Sequence, residues 1–331
     1  MAGVSGFQPR RRLFLQAALL GAVFPRAWAE ATDAVVYGSD LPRGPFGRES
    51  TAEEVTAGLD LSGMTAVVTG CNSGLGYETM RVLALRGAHV IGTARTEEKA
   101  RQACSGMAGQ TTPVVLELSD FQSVNACADA IEALDRPIDM LICNAGIMAL
   151  PELQLVYGLE RQFVVNHLGH FLLVTRLLES VSRAQQGRVV MVSSRAHFMA
   201  PDSGIDFDNL DGSLSYTPWE AYGRSKLANG LFAAELSRRM ADTRVTANSL
   251  HPGVIKTNLA RHLGRDIDDS RFDKTVPQGA ATQCYVAAHP IPAPISGEYF
   301  SDCNPARASD LMYDKALAAR LWSVSEELVQ R

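Results

Sequence analysis

This sequence has fewer basic residues than acidic ones. The 331-residue chain carries 31 Lys and Arg against 36 Asp and Glu, a formal net charge of -5. Residues 1–29 hold four arginines and no acidic residue, so the remaining chain has 27 basic and 36 acidic residues, a net charge of -9. Nucleic acids and anionic lipids are bound by clusters of Lys and Arg. The composition therefore argues against nucleic acid as a partner.

An apolar run long enough to cross a membrane is missing from the N-terminus. Residues 13–24 form a run of 12, interrupted only by Gln16, whereas a spanning helix needs about 20 apolar residues. The run follows the basic residues 10–12 and precedes "AWA" at 27–29, which is typical of a secretory signal and its cleavage site. Within it, "RRLFLQ" resembles the twin-arginine export consensus, with Arg11 and Arg12 as the pair.

Residues 1–29 are therefore predicted to be a cleaved signal peptide of the twin-arginine type. The mature protein is expected outside the cytoplasmic membrane, in the periplasm, without a stable membrane span and delivered by the twin-arginine export machinery. An uncleaved anchor, an accidental basic-apolar start and a cytoplasmic location are the alternatives.

Paired cysteines are missing as well. The six cysteines form no C-x-x-C pair and the seven histidines show no ligand spacing, so no metal site is predicted. An exported protein is able to form disulfides. However, Cys71 lies in a glycine-rich turn and Cys143 at the end of an apolar segment, which favours free structural thiols.

No internal repeat divides the chain, and residues 61–331 are predicted to form one α/β domain. Residues 30–60 precede it as a linker and a short helix, with Ser50 and Glu53 in "STAEEVTAG" forming a capping-box pattern. Strands are predicted at 65–69, 88–94, 113–118, 138–144, 187–193 and 244–253, and helices at 74–87, 120–134, 157–182 and 219–240.

Short, nearly unbroken apolar strands that alternate with helices indicate a Rossmann-type, doubly wound parallel sheet. Ligands of such sheets bind at the carboxyl ends of the strands. There the chain reads "TGCNSGLG" at 69–76, where Gly70 permits a sharp turn and Gly74 and Gly76 permit close approach to a pyrophosphate. Because a strand precedes the glycines and a helix follows, the turn is predicted to bind a dinucleotide.

The second predicted strand ends in "TAR". About 20 residues past the glycines, an acidic residue would bind the adenine ribose hydroxyls. Ala94 stands there instead, followed by Arg95, whose guanidinium would bind a 2′-phosphate. The sequence therefore favours NADP over NAD, unless Arg95 is only a surface residue.

"AYGRSK" places Tyr222 and Lys226 four residues apart, one above the other on a helix. A nearby ammonium stabilises a phenolate and lowers the tyrosine pKa, which would make the pair a proton donor and acceptor for a carbonyl/alcohol couple. The spacing alone is also common by chance.

These segments occur in the order seen in short-chain dehydrogenases/reductases, which the sequence resembles from about residue 50 to its C-terminus. The glycine turn is followed by "CNAG" at 143–146, "VNHLGHF" at 165–171, "VSS" at 192–194, "AYGRSK" at 221–226 and "HPGVIKT" at 251–257. "SKLANGLFAAEL", "GEYFSDCN" and "LWSVSEELV" resemble the retinol dehydrogenase-like and WW-domain oxidoreductase-like branch.

The resemblance implies roles for individual residues. Tyr222 would be the acid–base residue, Lys226 would hold the nicotinamide ribose, Ser194 would bind the substrate carbonyl, and Asn166 would hold a water beside Lys226. Ser193 in place of Ser194, and an Asn166 that only caps backbone groups, are the alternatives. The implied cofactor-binding residues are Thr69, Gly70, Asn72, Ser73, Gly74, Leu75, Gly76, Arg95, Glu117, Leu118, Asn144, Ala145, Gly146, Tyr222, Lys226, Pro252, Gly253 and Thr257.

Two departures from the family pattern stand out. Glu117 occupies a position where many relatives have Asp, which could alter the adenine contact, and the stretch between Ser194 and Tyr222 is long. That stretch and residues 258–277 are expected to form the rim of the substrate pocket.

The resemblance implies an NADP-dependent oxidoreductase that acts on a small carbonyl or alcohol substrate, with homo-oligomerisation left open. A non-catalytic NADP-binding protein on the same fold is one alternative. An epimerase or dehydratase is the other. Such enzymes usually have two residues between the first two glycines, where this chain has three.

Overall fold

The computed structural model describes residues 41, 43–262, 270 and 272–330, so the predicted signal peptide lies outside the described residues. The described strands are β1 Thr65–Val68, β2 His89–Ala94, β3 Thr111–Val115, β4 Met140–Cys143, β5 Leu155–Val156, β6 Leu159–Glu160, β7 Arg188–Val192, β8 Thr246–His251, β9 Tyr299–Ser301 and β10 Asn304–Pro305. Eight of them form one sheet in the order β10-β9-β8-β7-β4-β1-β2-β3, and β5 pairs with β6 in a hairpin.

The helices lie between these strands. Their bounds are α1 Ala52–Val55, α2 Gly74–Leu85, α3 Glu97–Ser105, α4 Phe121–Glu132, α5 Arg161–Phe163, α6 Gly169–Ser182, α7 Pro218–Arg239, α8 Val276–Ala288 and α9 Lys315–Leu328. A π-helical turn, Val164–Leu168, joins α5 to α6. A 3-10 turn, Arg195–Met199, follows β7.

The sheet is buried on both faces because neighbouring residues of a strand point to opposite sides. In β1, Val67 packs into one hydrophobic cluster with α4, α6, α7 and α9. Its neighbours Ala66 and Val68 pack into a second cluster with α1, α2 and α8. The predicted doubly wound sheet in a single domain is therefore confirmed, and Met80, Leu83 and Ala84 of α2 are buried against it.

All six predicted strands are present, with ends shifted by at most three residues. The sheet also has one antiparallel strand that was not predicted: β10 pairs antiparallel with β9, whereas every other pair in the sheet is parallel. The turn between β9 and β10 passes through two residues with positive φ, Asp302 at 50° and Cys303 at 60°.

Two predictions of local structure are wrong in detail. The helix predicted at 157–182 begins only at Arg161, because Tyr157 and Gly158 have positive φ and form the hairpin turn between β5 and β6. The capping box lies one residue later than predicted. Thr51, in an extended conformation, accepts from the Glu54 N–H, and the Glu54 carboxylate accepts from the Thr51 N–H.

The strand order reverses between β1 and β4, which pair with each other while their connections run to opposite sides of the sheet. A crevice opens at such a switch point at the carboxyl ends of the strands. The loops that follow β1, β4, β7 and β8 at this edge contain most of the residues predicted to bind ligands.

Candidate active site

The glycine turn after β1 has the geometry that its sequence requires. Gly70 has φ +74° and Gly74 has φ +58°, conformations that other residues rarely adopt. A side chain at Gly76 would clash with the carbonyl oxygen of Gly70 and would lie 2.6 Å from the amide nitrogen of Asn144. Gly76 is therefore needed for close packing of α2 against the turn, in addition to any approach to a ligand.

Thr69 ties this turn to the loop after β4. Its hydroxyl accepts hydrogen bonds from the backbone N–H groups of Asn144 and Ala145, both at 2.9 Å. The Asn144 side chain donates to the Thr69 carbonyl at 2.8 Å. Gly146 follows, and a side chain there would lie 3.1 Å from Asn166 Oδ1 and 3.6 Å from Lys226 Nζ. The two loops thus form one wall beside the catalytic candidates.

The turn has the features of a pyrophosphate site. Ser73 is the N-cap of α2 and its side chain makes no capping hydrogen bond, so the first N–H groups of the helix are not capped by it. These groups and the helix dipole favour an anion. Thr257, from the loop after β8, approaches the same turn, since a side chain at Gly74 would lie 3.3 Å from Thr257 Cγ2. The residues present therefore fit a dinucleotide.

The predicted binding site for the adenine ribose of the cofactor lies at the carboxyl end of β2. Ala94 is buried and Arg95 is exposed. The pKa of Arg261 is lowered by burial and next by the charge of Arg95, so the two guanidiniums lie near each other. The carboxylate of Glu117 accepts from the backbone N–H and the hydroxyl of Ser119, at 3.0 and 2.7 Å.

Leu118 belongs to the packing beside that end rather than to an open surface. It is buried, and a side chain at Gly169 would lie 2.5 Å from its carbonyl oxygen. Asn72 is exposed, and Leu75 packs beside Gly279 of α8.

Ser194 and Tyr222 come together across the crevice although they belong to different elements. Tyr222 lies in α7, and burial raises its pKa, while a hydrogen bond with the Ser194 side chain lowers it. The net shift is upward, opposite to the lowering predicted from the spacing of Tyr222 and Lys226, because burial of the phenol outweighs its neighbours. Ser193 faces elsewhere, since its hydroxyl donates to the Lys226 carbonyl at 2.6 Å.

Lys226 lies one helical turn beyond Tyr222, with Nζ 5.7 Å from the centre of the tyrosine ring. The amine is buried and donates to the Val192 carbonyl at 2.9 Å. Burial lowers the pKa of Lys226 to about 7. The amine is therefore poised to gain or lose a proton near neutral pH.

Asn166 lies within the π-helical turn, and its side-chain amide is hydrogen-bonded to other protein groups. Its Oδ1 accepts from the Ile147 N–H at 2.9 Å. Its Nδ2 donates to the Ile147 carbonyl and to the Ser225 hydroxyl, each at 2.9 Å. The side chain thus joins the loop after β4 to α7 next to Lys226. This is the alternative in which Asn166 caps backbone groups, and a water at Asn166 stays a prediction.

Two histidines that sequence reasoning did not assign to the site hold the backbone around Ser194. His197 Nδ1 is 2.7 Å from the Ser194 carbonyl, and its Nε2 accepts from the Ser309 N–H at 3.0 Å. His251 Nδ1 accepts from the Arg195 N–H at 3.2 Å. The only signal in the sequence was that His251 belongs to "HPG"; nothing marked His197.

The turn containing Pro252 and Gly253 is held by a buried ion pair. Gly253 has φ +109°, and a side chain there would lie 2.6 Å from Cδ of Lys274. The Lys274 ammonium lies 2.5 Å from the Asp302 carboxylate, and both residues are buried. The pair fixes the base of the loop that carries Thr257. No sequence motif predicted it.

The six cysteines are free, in agreement with the prediction of free thiols, and the structure shows that all six are buried. Within the described residues, no group of three or more His, Cys, Asp or Glu is placed to hold a metal ion. None of the helices in the described ranges combines the length and apolar character that a membrane span needs.

Comparison with known proteins agrees with this geometry. The family model of the short chain dehydrogenases matches residues 64–206. Short-chain dehydrogenase TIC 32 A, chloroplastic, from Brassica napus is 41% identical over 303 residues, which cover 86% of this chain and 94% of that protein. Retinol dehydrogenase 12 from Mus musculus is 40% identical over 285 residues, covering 83% and 89%.

A solved structure shares the fold. An uncharacterized protein from Mycobacterium paratuberculosis is 37% identical with a TM-score of 0.69, and the match covers 83% of this chain and 97% of that one. The glycine turn, the sheet and the relatives thus agree, and the chain belongs to the short-chain dehydrogenase/reductase family of oxidoreductases.

Proposed function

We propose that the protein is an NADP-dependent oxidoreductase that interconverts an alcohol and an aldehyde or ketone. The observation that carries the proposal is the convergence of Ser194, Tyr222 and Lys226 beside the glycine turn. Two elements contribute these side chains, the 3-10 turn after β7 and helix α7, and Gly146 of the loop after β4 lies beside Lys226. The half-buried Ser194 hydroxyl and the buried Tyr222 phenol, next to a buried amine, are groups suited to moving a proton at a carbonyl oxygen.

In the proposed reaction, Ser194 and Tyr222 bind the substrate oxygen together. Because burial raises the pKa of Tyr222, its phenol is protonated at neutral pH and is able to donate to a carbonyl oxygen. Lys226 Nζ lies 5.7 Å from the centre of the Tyr222 ring. Asn166 holds the loop after β4 and α7 in register through its three hydrogen bonds. For alcohol oxidation the step runs in reverse, and Tyr222 accepts the proton of the alcohol in its phenolate form.

The glycine turn, the uncapped N-terminus of α2, Asn144 to Gly146, and Thr257 would hold the dinucleotide. When bound, the nicotinamide supplies or accepts the hydride. Leu75, Asn72 and the Pro252–Gly253 turn would complete its surroundings. The adenine end, with Arg95 and the nearby Arg261, carries positive charge in place of the carboxylate that would bind unphosphorylated ribose.

Two other functions are compatible with the fold. A non-catalytic NADP-binding protein would keep the glycine turn but would have no need for the Ser194–Tyr222 contact. An epimerase or dehydratase would use Tyr222 differently. Incubation with NADPH and a panel of aldehydes and ketones tests all three, because only the proposed activity oxidises NADPH in step with formation of alcohol. NADPH binding without consumption on any substrate would favour the non-catalytic alternative.

Cofactor preference depends on Arg95. We expect NADP(H) to bind more tightly than NAD(H), since one charge-assisted hydrogen bond to the 2′-phosphate contributes about 1.5–3 kcal/mol, or roughly ten- to a hundredfold in affinity. The double variant Ala94→Asp, Arg95→Ser should reverse the order in a fluorescence titration with both cofactors. Arg101→Ser is the control, because Arg101 is an exposed arginine of α3 that pairs with Glu97. Equal affinity of the unaltered protein for both cofactors would contradict the proposal.

The export signal is tested by localisation. We propose that the protein folds around NADP inside the cell and crosses the membrane by the twin-arginine route, which is known for carrying folded, cofactor-loaded proteins. Retained ligand also stabilises the fold by about 2.7 kcal/mol at a hundred times its dissociation constant. In fractionated cells, the mature form starting near Glu30 is expected outside the cytoplasmic membrane. It should stay inside when Arg11 and Arg12 are both changed to Lys.

Two results would reject this route. Export that survives the double Lys change would exclude the twin-arginine machinery. Recovery of the unaltered protein only in the cytosol, with residues 1–29 still attached, would exclude export itself.

A further inference from the structure

We infer that His170 is a positioning residue of the active site, with a fixed tautomer that couples the glycine turn to Asn166. His170 lies in α6, one turn beyond Asn166, and is fully buried. Its two ring nitrogens face two different parts of the site. Nε2 is 3.0 Å from the Thr69 hydroxyl, and Nδ1 is 3.0 Å from the Asn166 carbonyl.

The direction of each hydrogen bond follows from the partners. The Thr69 hydroxyl already accepts two backbone N–H groups, those of Asn144 and Ala145. A hydroxyl oxygen has two lone pairs, so the only bond left to it is the one in which it donates its proton. His170 Nε2 must therefore be the acceptor. A carbonyl oxygen only accepts, so Nδ1 carries the proton and donates to Asn166.

This arrangement requires a neutral imidazole protonated on Nδ1. Burial lowers the pKa of His170 to about 4, which agrees with a neutral ring at physiological pH. The same ring thus accepts from the Thr69 hydroxyl, which holds the loop after β4, and donates to the backbone carbonyl of Asn166, whose side chain holds Ile147 and Ser225. One side chain thus joins Thr69 of the glycine turn to Asn166, whose own side chain reaches Ser225 of α7.

The two contacts are separable by substitution. In His170→Asn the amide nitrogen takes the place of Nδ1, so the donor to Asn166 is kept and the acceptor for Thr69 is lost. In His170→Gln the side-chain oxygen reaches the place of Nε2, so the acceptor for Thr69 is kept and the donor to Asn166 is lost. His167→Gln is the control. His167 is buried on the same helical stretch, but its Nε2 contacts Ser325, far along the chain from the site.

Cofactor affinity and turnover should respond differently to the two changes. Leaving a buried polar group without a hydrogen-bond partner changes the affected equilibrium constant roughly tenfold. We expect His170→Asn to weaken NADPH binding about tenfold with little change in kcat at saturating cofactor. We expect His170→Gln to lower kcat about tenfold with NADPH affinity nearly unchanged. The control should lower thermal stability only.

The expected change in kcat rests on the proposed function. The expected change in NADPH affinity and the tautomer of His170 do not. ¹⁵N-detected spectra of the imidazole nitrogens should show His170 protonated on Nδ1 and unprotonated on Nε2 at neutral pH. Protonation on Nε2 instead would overturn the inference. So would equal NADPH affinities and equal kcat in the Asn and Gln variants. If no substrate is turned over while His170→Asn still weakens NADPH binding, the proposed activity fails and the coupling of His170 to the glycine turn stands.

Discussion

Tyr222→Phe should lower turnover by about 10²–10⁴, the usual contribution of a general acid–base group, and leave NADPH affinity within about twofold. The substitution removes only the hydroxyl, so the buried ring keeps its place in α7 beside Trp219. Lost with the hydroxyl are the proton donor and the hydrogen bond with Ser194. The measurement is steady-state turnover with NADPH and whichever carbonyl substrate the panel identifies, together with a cofactor titration.

The matched control is Tyr285→Phe. Tyr285 is also a buried tyrosine on a helix, but it packs in the second hydrophobic cluster against Phe46 and His289. Its hydroxyl lies beside Gly44, so turnover should stay close to that of the unaltered protein. A Tyr222→Phe variant that retains most of the original rate would show that another group moves the proton.

The free energy of unfolding should fall steeply as pH drops from about 6.5 toward 5. Burial lowers the pKa of His167 to about 3 and those of His170 and His197 to about 4, and it lowers the pKa of His251 well below the ordinary 6.5. In the unfolded chain all four would gain a proton near pH 6.5. The unfolded state therefore binds more protons than the folded state below that pH, which destabilises the fold.

The size of this effect follows from proton linkage. Each such histidine contributes up to about 1.4 kcal/mol per pH unit, so four of them rival the whole stability of a typical domain, about 5–15 kcal/mol. Three carboxyls act in the opposite direction, since burial raises the pKa values of Asp139, Glu160 and Glu298. These carboxyls make the free energy of unfolding depend less steeply on pH at the acid end of the range.

Urea unfolding of the cofactor-free protein at half-unit steps from pH 7.5 to 5 gives the slope. His167→Gln should reduce the slope of the free energy of unfolding against pH by the equivalent of up to one bound proton. The reason is that the amide still reaches Ser325 but does not titrate in this range. An unchanged free energy of unfolding between pH 7 and 5 would contradict the prediction. It would mean that these rings gain protons in the folded protein, with water or counter-charges reaching them.

Much of the fold could be predicted because its signals are local. The strands β1, β2, β4 and β7 are short, mostly apolar segments that are buried almost throughout, and a buried parallel strand is recognisable from its own residues. The glycine turn is also local, since Gly70 and Gly74 have the positive φ that their residue type allows. Tyr222 and Lys226 share a helix face because four residues make about one turn.

Where local signals compete, the sequence was insufficient. The apolar pattern of residues 157–182 fits a helix throughout, but a hairpin turn at Tyr157 and Gly158 delays its start to Arg161. Ser50 and Thr51 are both able to cap α1, and the backbone selects Thr51. In each case the choice depends on how the segment meets the rest of the chain, which neighbouring residues do not encode.

The sequence by itself determined the doubly wound sheet, the glycine turn and the candidate pair Tyr222 and Lys226, because periodicity and turn chemistry act over a few residues. Only the tertiary structure decided the polar contacts that join distant segments. Thr69 and His170 are 101 residues apart in sequence, and His197 and Ser309 are 112 apart. The net rise in the Tyr222 pKa was likewise decided by burial, which depends on the packing of the whole domain around the phenol. A hydrogen bond or a desolvated group exists only once the elements are packed, so no spacing rule along the chain could supply it.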